Sequence, residues 1–391
     1  MKKIFDYIII TVANQFQKKI LESKLMEIKK ELSCDTEYII TIEKEKLGSG
    51  GALLKIINQV ETNKKKILLI NSAGKSTRMP IYADKGKIFI PTFSGNNKIL
   101  LDEIFEEVMP IGERMEPGIL IVSGDCTTIY KKINQKVFKE NTAFSVLTDA
   151  VQGERHGVFV TQNGKLKESL QKESIEVLKE KNAVNKEGKV NIDTGIIYYN
   201  EDTVESLKKI EPNNVMINLY TDLIYPLCLK ADFNEYLCQK SETEITKELI
   251  HIRKEIWNLI KNKAIEIENL ENGRFIHYGT TQEFLKIAFE RNNNENIVIN
   301  SVVEGKLTTK CYIENSIISS KSKIGKNSVV IDSVIDCNVP ENVLVKTLEI
   351  SGKYYTIVCD LNDSNRCIFD EKTHLLYNEK DIASKKSIES Y

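Results

Sequence analysis

Ile67-Leu-Leu-Ile-Asn-Ser-Ala-Gly-Lys-Ser-Thr-Arg-Met-Pro80 is the stretch on which the reading of the fold turns. Four apolar residues, Ile67 to Ile70, come after a run of lysines and read as a short buried strand. Asn71 to Gly74 are small, so the backbone can turn tightly and expose N–H groups suited to phosphate oxygens. Lys75 and Arg78 then add two cations before Pro80, which halts any helix, and Lys87 comes ahead of a second apolar run closed by Pro91. Strand, small-residue loop and spaced cations suit a polyphosphate. The same spacing also suits a βα turn with solvated basic residues. It is neither a Walker loop nor a Gly-x-Gly-x-x-Gly dinucleotide motif.

Ala73-Gly-Lys-Ser-Thr-Arg-Met-Pro80, with Gly86-Lys87 and Pro91, resembles the signature loop of sugar-1-phosphate nucleotidyltransferases. It most resembles the fucose-1-phosphate guanylyltransferase branch, and Gly48-Ser-Gly-Gly-Ala52 is similar to an upstream element of that branch. The resemblance implies a Rossmann-like α/β domain with a mixed, mostly parallel sheet. It implies GTP and β-L-fucose 1-phosphate as substrates and Mg²⁺ as cofactor. Arg78, Lys87 and Lys75 would be catalytic, and Gly48, Ser49, Gly50, Gly51, Ala73, Gly74 and Ser76 would contact the nucleotide.

The rest of the amino-terminal half agrees. Tyr7–Val12 reads as a strand, 13–32 as an amphipathic helix, 38–42 as a strand and 48–60 as a helix, the alternation of a sheet covered on both faces. Ligands of such sheets bind beyond the carboxyl ends of the strands. Gly118-Ile-Leu-Ile-Val-Ser-Gly-Asp125 ends a further apolar strand in an acid. Asp125 there can reach a Mg²⁺ that bridges nucleotide phosphates, or it can be a turn residue that caps the next helix. The resemblance makes it the metal ligand.

The resemblance also implies four substrate contacts. Lys172, after a hairpin at 156–172, matches the lysine that meets the sugar phosphate, although Gln171-Lys-Glu173 departs from the Glu-Lys-Pro usual in hexose enzymes. Asp193, in Asp-Thr-Gly-Ile, serves either a sugar hydroxyl or an Asx-turn. Asp222 lies in a Tyr-x-Asp segment, and His277 takes the place of an aspartate that holds magnesium in hexose relatives. Between them, 242–268 reads as the longest helix, with His251 and Trp257 as packing residues.

From residue 297 the character changes. Ile299-Asn-Ser-Val, Ile313-Glu-Asn-Ser-Ile, Ile324-Gly-Lys-Asn-Ser-Val and Ile331-Asp-Ser-Val are variants of one unit, and such repeats predict a β-helix. The expected domains are therefore 1–295, the nucleotidyltransferase part, and 296–391, the β-helix with a frayed Lys/Ser-rich tail. The coil would offer an edge for homo-oligomerisation.

A net charge of −1 supplies no field for nucleic acid or an anionic membrane. Eight scattered cysteines without a Cys-x-x-Cys pair argue against structural zinc and for reduced thiols. Neither a signal peptide nor a membrane-length apolar run is evident, so a cytoplasmic enzyme is expected. Two other outcomes stay open: the same reaction on another sugar 1-phosphate or NTP, and a nucleotide-sugar sensor without turnover. Some members of the family carry a C-terminal sugar kinase. The absence of a Gly-Leu-Ser-Ser loop leaves this chain either monofunctional or the first part of a longer protein.

Overall fold

The computed structural model describes residues 3–31, 35–43, 47–74, 76, 78–95, 97–133, 136–212, 214–240, 244–350 and 353–361. By contact, the chain divides into one unit of residues 1–74 with 102–276 and a second of 75–101 with 277–391.

The first unit is built on nine strands: β1 (Tyr7–Val12), β2 (Glu37–Ile42), β3 (Lys66–Asn71), β4 (Gly118–Ser123), β6 (Thr142–Asp149), β7 (Gly157–Gln162), β8 (Lys165–Gln171), β9 (Lys189–Asn200) and β10 (Glu266–Asn269). Their order is β2-β1-β3-β4-β9-β6-β10-β8-β7. A short strand β5 (Cys126–Ile129) pairs separately with β11 (Arg274–His277). β2-β1-β3-β4 is parallel, as is the pair β6–β10. β9 runs antiparallel to β4 and β6, and β8 runs antiparallel to β7 and β10. The sheet is thus mixed but not mostly parallel. The hairpin β7–β8 sends the chain back so that β9 enters the centre in the opposite sense.

The continuous apolar runs are explained by burial on both faces, since Ile8–Ile10, Ile67–Ile70 and Ile119–Val122 are all within 2% of full burial. The periodicity over 242–268 resolves into the helix Lys247–Ile260 and strand β10. Thr246 caps that helix by accepting a hydrogen bond from the Leu249 N–H at 3.1 Å. Trp257 packs on Phe233 and Tyr236, as expected of a packing residue. His251 does not: its side chain is 75% exposed, on the solvent face of the helix.

The second unit carries short parallel ladders. One joins β12 (Ile297–Ile299), β15 (Tyr312–Glu314), β18 (Val329–Ile331) and β20 (Val343–Ile350), closed by antiparallel β21 (Lys353–Asp360). A second joins β13 (Val302–Val303), β16 (Ile317–Ile318) and β19 (Val334–Ile335), and a third β14 (Lys306–Leu307) with β17 (Lys323–Ile324). The repeated Asn/Asp-Ser pair supplies the corner between ladders. Asn300, Asn315 and Asp332 adopt φ of 45°, 48° and 54°, which these short polar residues tolerate. Their side chains bond in series, Asn300 to Asn315 at 2.7 Å and Asn315 to Asp332 at 3.1 Å. The serines do likewise, because the Ser301 and Ser316 hydroxyls accept from the Ser316 and Ser333 N–H groups. Cys311, Ile313, Ile318, Ile324, Val330 and Val345 fill the interior.

Candidate functional site

In the first unit, Asn71 and Ser123 are register partners at the ends of β3 and β4. Both loops therefore leave the sheet side by side at its carboxyl edge. The Gly124 N–H donates to the Asn71 carbonyl at 2.8 Å, and a Cβ at Gly124 would stand 2.7 Å from the Ser72 Cβ. Only glycine permits that approach. The Ser123 hydroxyl donates to Asp125 Oδ1 at 2.7 Å and orients the half-buried carboxylate. Ala73 and Gly74 continue from β3, with open space around Gly74. Lys75 lies outside the described residues.

Asp193, on β9, is 7% exposed. Burial raises its pKa to about 6, against the pull of hydrogen bonds from the Tyr220 hydroxyl and the Gly195 N–H. The bond to Gly195 is the Asx-turn. Half-buried Tyr220 also feels the charge of Asp125. Two carboxylates and a phenol thus share one corner of this unit. Gln171 reaches the same place, because a Cβ on Gly157 would meet Gln171 Nε2 at 3.0 Å and Asp193 Oδ2 at 3.3 Å. Lys172 is exposed, with φ of 55° and its N–H on the His156 carbonyl at 3.3 Å.

The carboxylate oxygens of Asp125 and Asp193 are hard donors of the kind Mg²⁺ takes. Among the described residues no group of three or more His, Cys, Asp or Glu converges on a point. Mg²⁺ takes one or two carboxylates together with phosphate oxygens and waters. The residues fit the group.

Two of the residue sets singled out in the sequence are engaged elsewhere. Asp222 is fully buried, its Oδ1 receiving Arg253 Nε at 2.8 Å and its Oδ2 the Asn218 N–H at 2.6 Å. The Gly48–Gly51 turn opens the helix Gly48–Ile57, and the Gly50 and Gly51 N–H groups both donate to the Ile217 carbonyl. Ser49 accepts the Leu219 N–H at 3.2 Å, and a Cβ at Gly48 would stand 2.6 Å from the Ile217 oxygen. These glycines let segment 215–219, which leads to Tyr220, sit directly on the helix start.

In the second unit, Ser76 has φ of 51° and its carbonyl accepts from Met79. Arg78 is exposed, its own carbonyl held by the Thr281 N–H at 3.1 Å. Lys87 is half-buried and opens a short 3₁₀ turn after Gly86, whose φ of 94° few other residues would adopt. His277 stands 3.4 Å from Glu283, which also accepts the Gly279 and Thr280 N–H groups. Burial works to raise the Glu283 pKa, but His277 and those N–H groups bring it below the usual range. His277-Tyr-Gly-Thr is thereby the entry to the capped helix Thr281–Arg291.

Polar side chains placed at strand ends, with loops built for close backbone approach, define an α/β protein of the phosphate-handling kind. The domain model of fucose pyrophosphorylases matches residues 59–385, and the chain belongs to that family. It is 26% identical over 444 residues to mouse fucose-1-phosphate guanylyltransferase, covering 93% of this chain and 75% of the mouse protein. The human fucose-1-phosphate guanylyltransferase is 25% identical, with 94% and 71% covered. The L-fucokinase/L-fucose-1-P guanylyltransferase of Bacteroides fragilis is 26% identical over 76% of this chain, which spans 33% of that protein. Among solved structures, HddC from Yersinia pseudotuberculosis aligns at a TM-score of 0.35 and 10% identity, over 73% of this chain and 78% of HddC. That likeness is too low to argue from.

Proposed function

We propose that this chain is a sugar-1-phosphate nucleotidyltransferase that converts GTP and β-L-fucose 1-phosphate into GDP-L-fucose and pyrophosphate. The observation that carries the proposal is the Ser123-Gly124-Asp125 turn: Gly124 bonds to the end of β3, Ser123 holds the Asp125 carboxylate, and Tyr220 feels both Asp125 and Asp193. A sugar-phosphate oxygen attacks the α-phosphorus in line, and the bond to the β-phosphate oxygen breaks. The nucleophile is already an anion, so no general base is needed and the protein contributes positioning and charge neutralisation. Arg78 and Lys75 hold the departing pyrophosphate, and Lys87 and Lys172 the reacting phosphates. Asp125, with Asp193 near it, would hold Mg²⁺, which when bound neutralises phosphate charge. Ala73, Gly74 and Ser76 contact the nucleotide, and His277 the substrate. Asp222 is left out of the contact set because Arg253 and the Asn218 N–H engage both its oxygens, and Gly50 and Gly51 because their N–H groups donate to the Ile217 carbonyl, while Gly48 and Ser49 stay in it.

The ladders of the second unit support reading a β-helix with its tail at 296–391, after a transferase part of 1–295; the Lys/Ser-rich end of that tail lies outside the described residues. Successive rungs lie 15 to 17 residues apart, from Ile297 to Tyr312, Val329 and Leu344. Val302, Ile317 and Val334 stand in register on one ladder, 56%, 50% and 75% exposed, an aliphatic stripe that supports self-association there. Scattered cysteines support a cytoplasmic setting, and among the described residues no helix is long and apolar enough to cross a membrane.

Pyrophosphate release should be measured for each of four NTPs against a panel of sugar 1-phosphates. Turnover highest with GTP and fucose 1-phosphate is expected. Preference for another pair would reassign the substrates, and no release from any pair would leave a sensor.

A further inference from the structure

The third positions of β12, β15 and β18, together with the fourth of β20, form one column, Ile299, Glu314, Ile331 and Lys346, in continuous register. Two of the four are aliphatic, as a stacked ladder needs. The other two are ions, and both are buried: Glu314 is 8% exposed and Lys346 is 0% exposed. Burying ions costs several kcal/mol each, and well-packed apolar residues often serve stability as well or better. Their partners identify a different role.

Both ions are met by residues 81–85, immediately ahead of Lys87. Lys346 Nζ donates to the Ile81 carbonyl at 2.8 Å and to Asp84 Oδ1 at 2.8 Å, and lies 3.4 Å from Asp332. Glu314 accepts the Tyr82 hydroxyl, and the Tyr312 hydroxyl at 2.7 Å. Lys85 sits 3.1 Å from Asp332 and 3.6 Å from Glu314. The Tyr82 ring packs edge-on against Phe284, which does the same to Tyr312. Four of five consecutive residues are therefore fixed from outside, and the backbone passes from Asp84 through Gly86 into the turn that presents Lys87.

We propose that Lys346 and Glu314 are positioning residues, which hold the Ile81–Lys85 segment so that Lys87 meets the reacting phosphates. The proposal rests on the function assigned to Lys87 above. A brace that serves only stability would leave turnover unchanged once the variant folds, and a positioning brace would not.

The test uses the full chain. Lys346→Met alone would strand Asp84, so it is paired with Asp84→Asn, which removes both charges together. The pair should melt within a few degrees of the parent, yet lose about tenfold in kcat for pyrophosphate release. In a Lys87→Ala background the same pair should cost nothing further, because residues acting through one group are not additive. If the pair instead melts far below the parent, Tyr82→Phe, which keeps the ring, reads the same link through the same cycle. Parental kcat and KM in the folded pair overturn the proposal. So does a full multiplication of its loss on Lys87→Ala. A Lys87→Ala enzyme with parental activity overturns the role of Lys87 itself, and that result is separate from the other two.

Discussion

Arg253 and Lys346 are both fully buried cations, one in each unit, and they are held in different ways. Arg253 is caged locally: Asp222 at 2.8 Å, then the carbonyls of Tyr236, Leu237 and Gln239 at 2.9 to 3.1 Å, all within 31 residues. It also lies over the Tyr236 ring at 5.5 Å. Lys346 reaches back 262 and 265 residues, to Asp84 and Ile81. The first cation closes the excursion between β9 and the helix Lys247–Ile260 on itself. The second ties a distant segment in place. The same physics, a buried charge satisfied by oxygen, thus serves stability in one region and geometry in the other.

The largest effect should come from breaking the local cage. Arg253→Met would leave Asp222 buried without its cation and take the guanidinium from three carbonyls, and such losses cost about 3–5 kcal/mol. We expect little soluble protein, or a melting temperature lower by about 10 °C or more at this domain size. A variant that melts like the parent would dissolve the contrast, since Arg253 would then be no more structural than Lys346.

Arg78→Ala comes next and acts on activity alone. The side chain is exposed and, among the described residues, the bond shown is to its backbone carbonyl, so folding should be untouched. Loss of one charge-assisted bond in the transition state is worth about 1.5–3 kcal/mol, at least tenfold in kcat. Parental turnover would remove Arg78 from the phosphate site.

Asp125→Asn tests the other side of the chemistry. It keeps the hydrogen bond from Ser123 but removes the charge a hard cation needs. Rate against magnesium concentration should shift to a much higher midpoint, with chelator abolishing parental activity and His277→Ala leaving the midpoint in place. Equal midpoints for parent and Asp125→Asn would take the metal role from Asp125.

Legibility in the sequence divides along the same line. The strands of the sheet, the Asp125 turn and the coil repeats announce themselves through composition over a few adjacent residues. Apolar runs and small-residue turns have local causes. The sense of β9 was not legible, because antiparallel insertion between parallel strands is decided by where a hairpin returns the chain. Asp222 resembled a substrate contact because its buried partner, Arg253, lies 31 residues away on a helix whose pattern reads as ordinary. Gly48–Gly51 resembles a nucleotide-contacting element, and nothing nearby in the sequence shows that the Ile217 carbonyl takes the Gly50 and Gly51 N–H groups. Lys346 could have been suspected: a lysine in Val-Leu-Val-Lys-Thr-Leu, in the column that holds Ile299 and Ile331, contradicts a stacked apolar column.

A third buried ionisable group shows what happens when no cation is supplied. Glu107, on the helix Leu100–Arg114, is 5% exposed and accepts the Thr127 hydroxyl at 3.2 Å. Burial raises its pKa to about 8, more than the Thr128 and Thr127 hydrogen bonds lower it, and nearby Glu103 adds to the rise. Burial raises the Asp222 pKa too, but there Arg253 pulls it back down, whereas Glu107 has only hydrogen bonds to oppose its burial. The sign of the pH effect comes from linkage. A carboxyl whose folded pKa exceeds its unfolded value stabilises the fold fully below the unfolded value of 4.5. That contribution declines as the pH rises toward about 8, since the unfolded chain releases a proton the folded chain retains. Glu107→Gln carries the neutral shape at every pH and lacks this dependence. Melting temperatures of parent and variant, measured from about pH 5 to 9, should therefore diverge, the parent losing several degrees relative to the variant and levelling off above about pH 8. A constant difference across that range would mean that Glu107 is ionised in the folded protein.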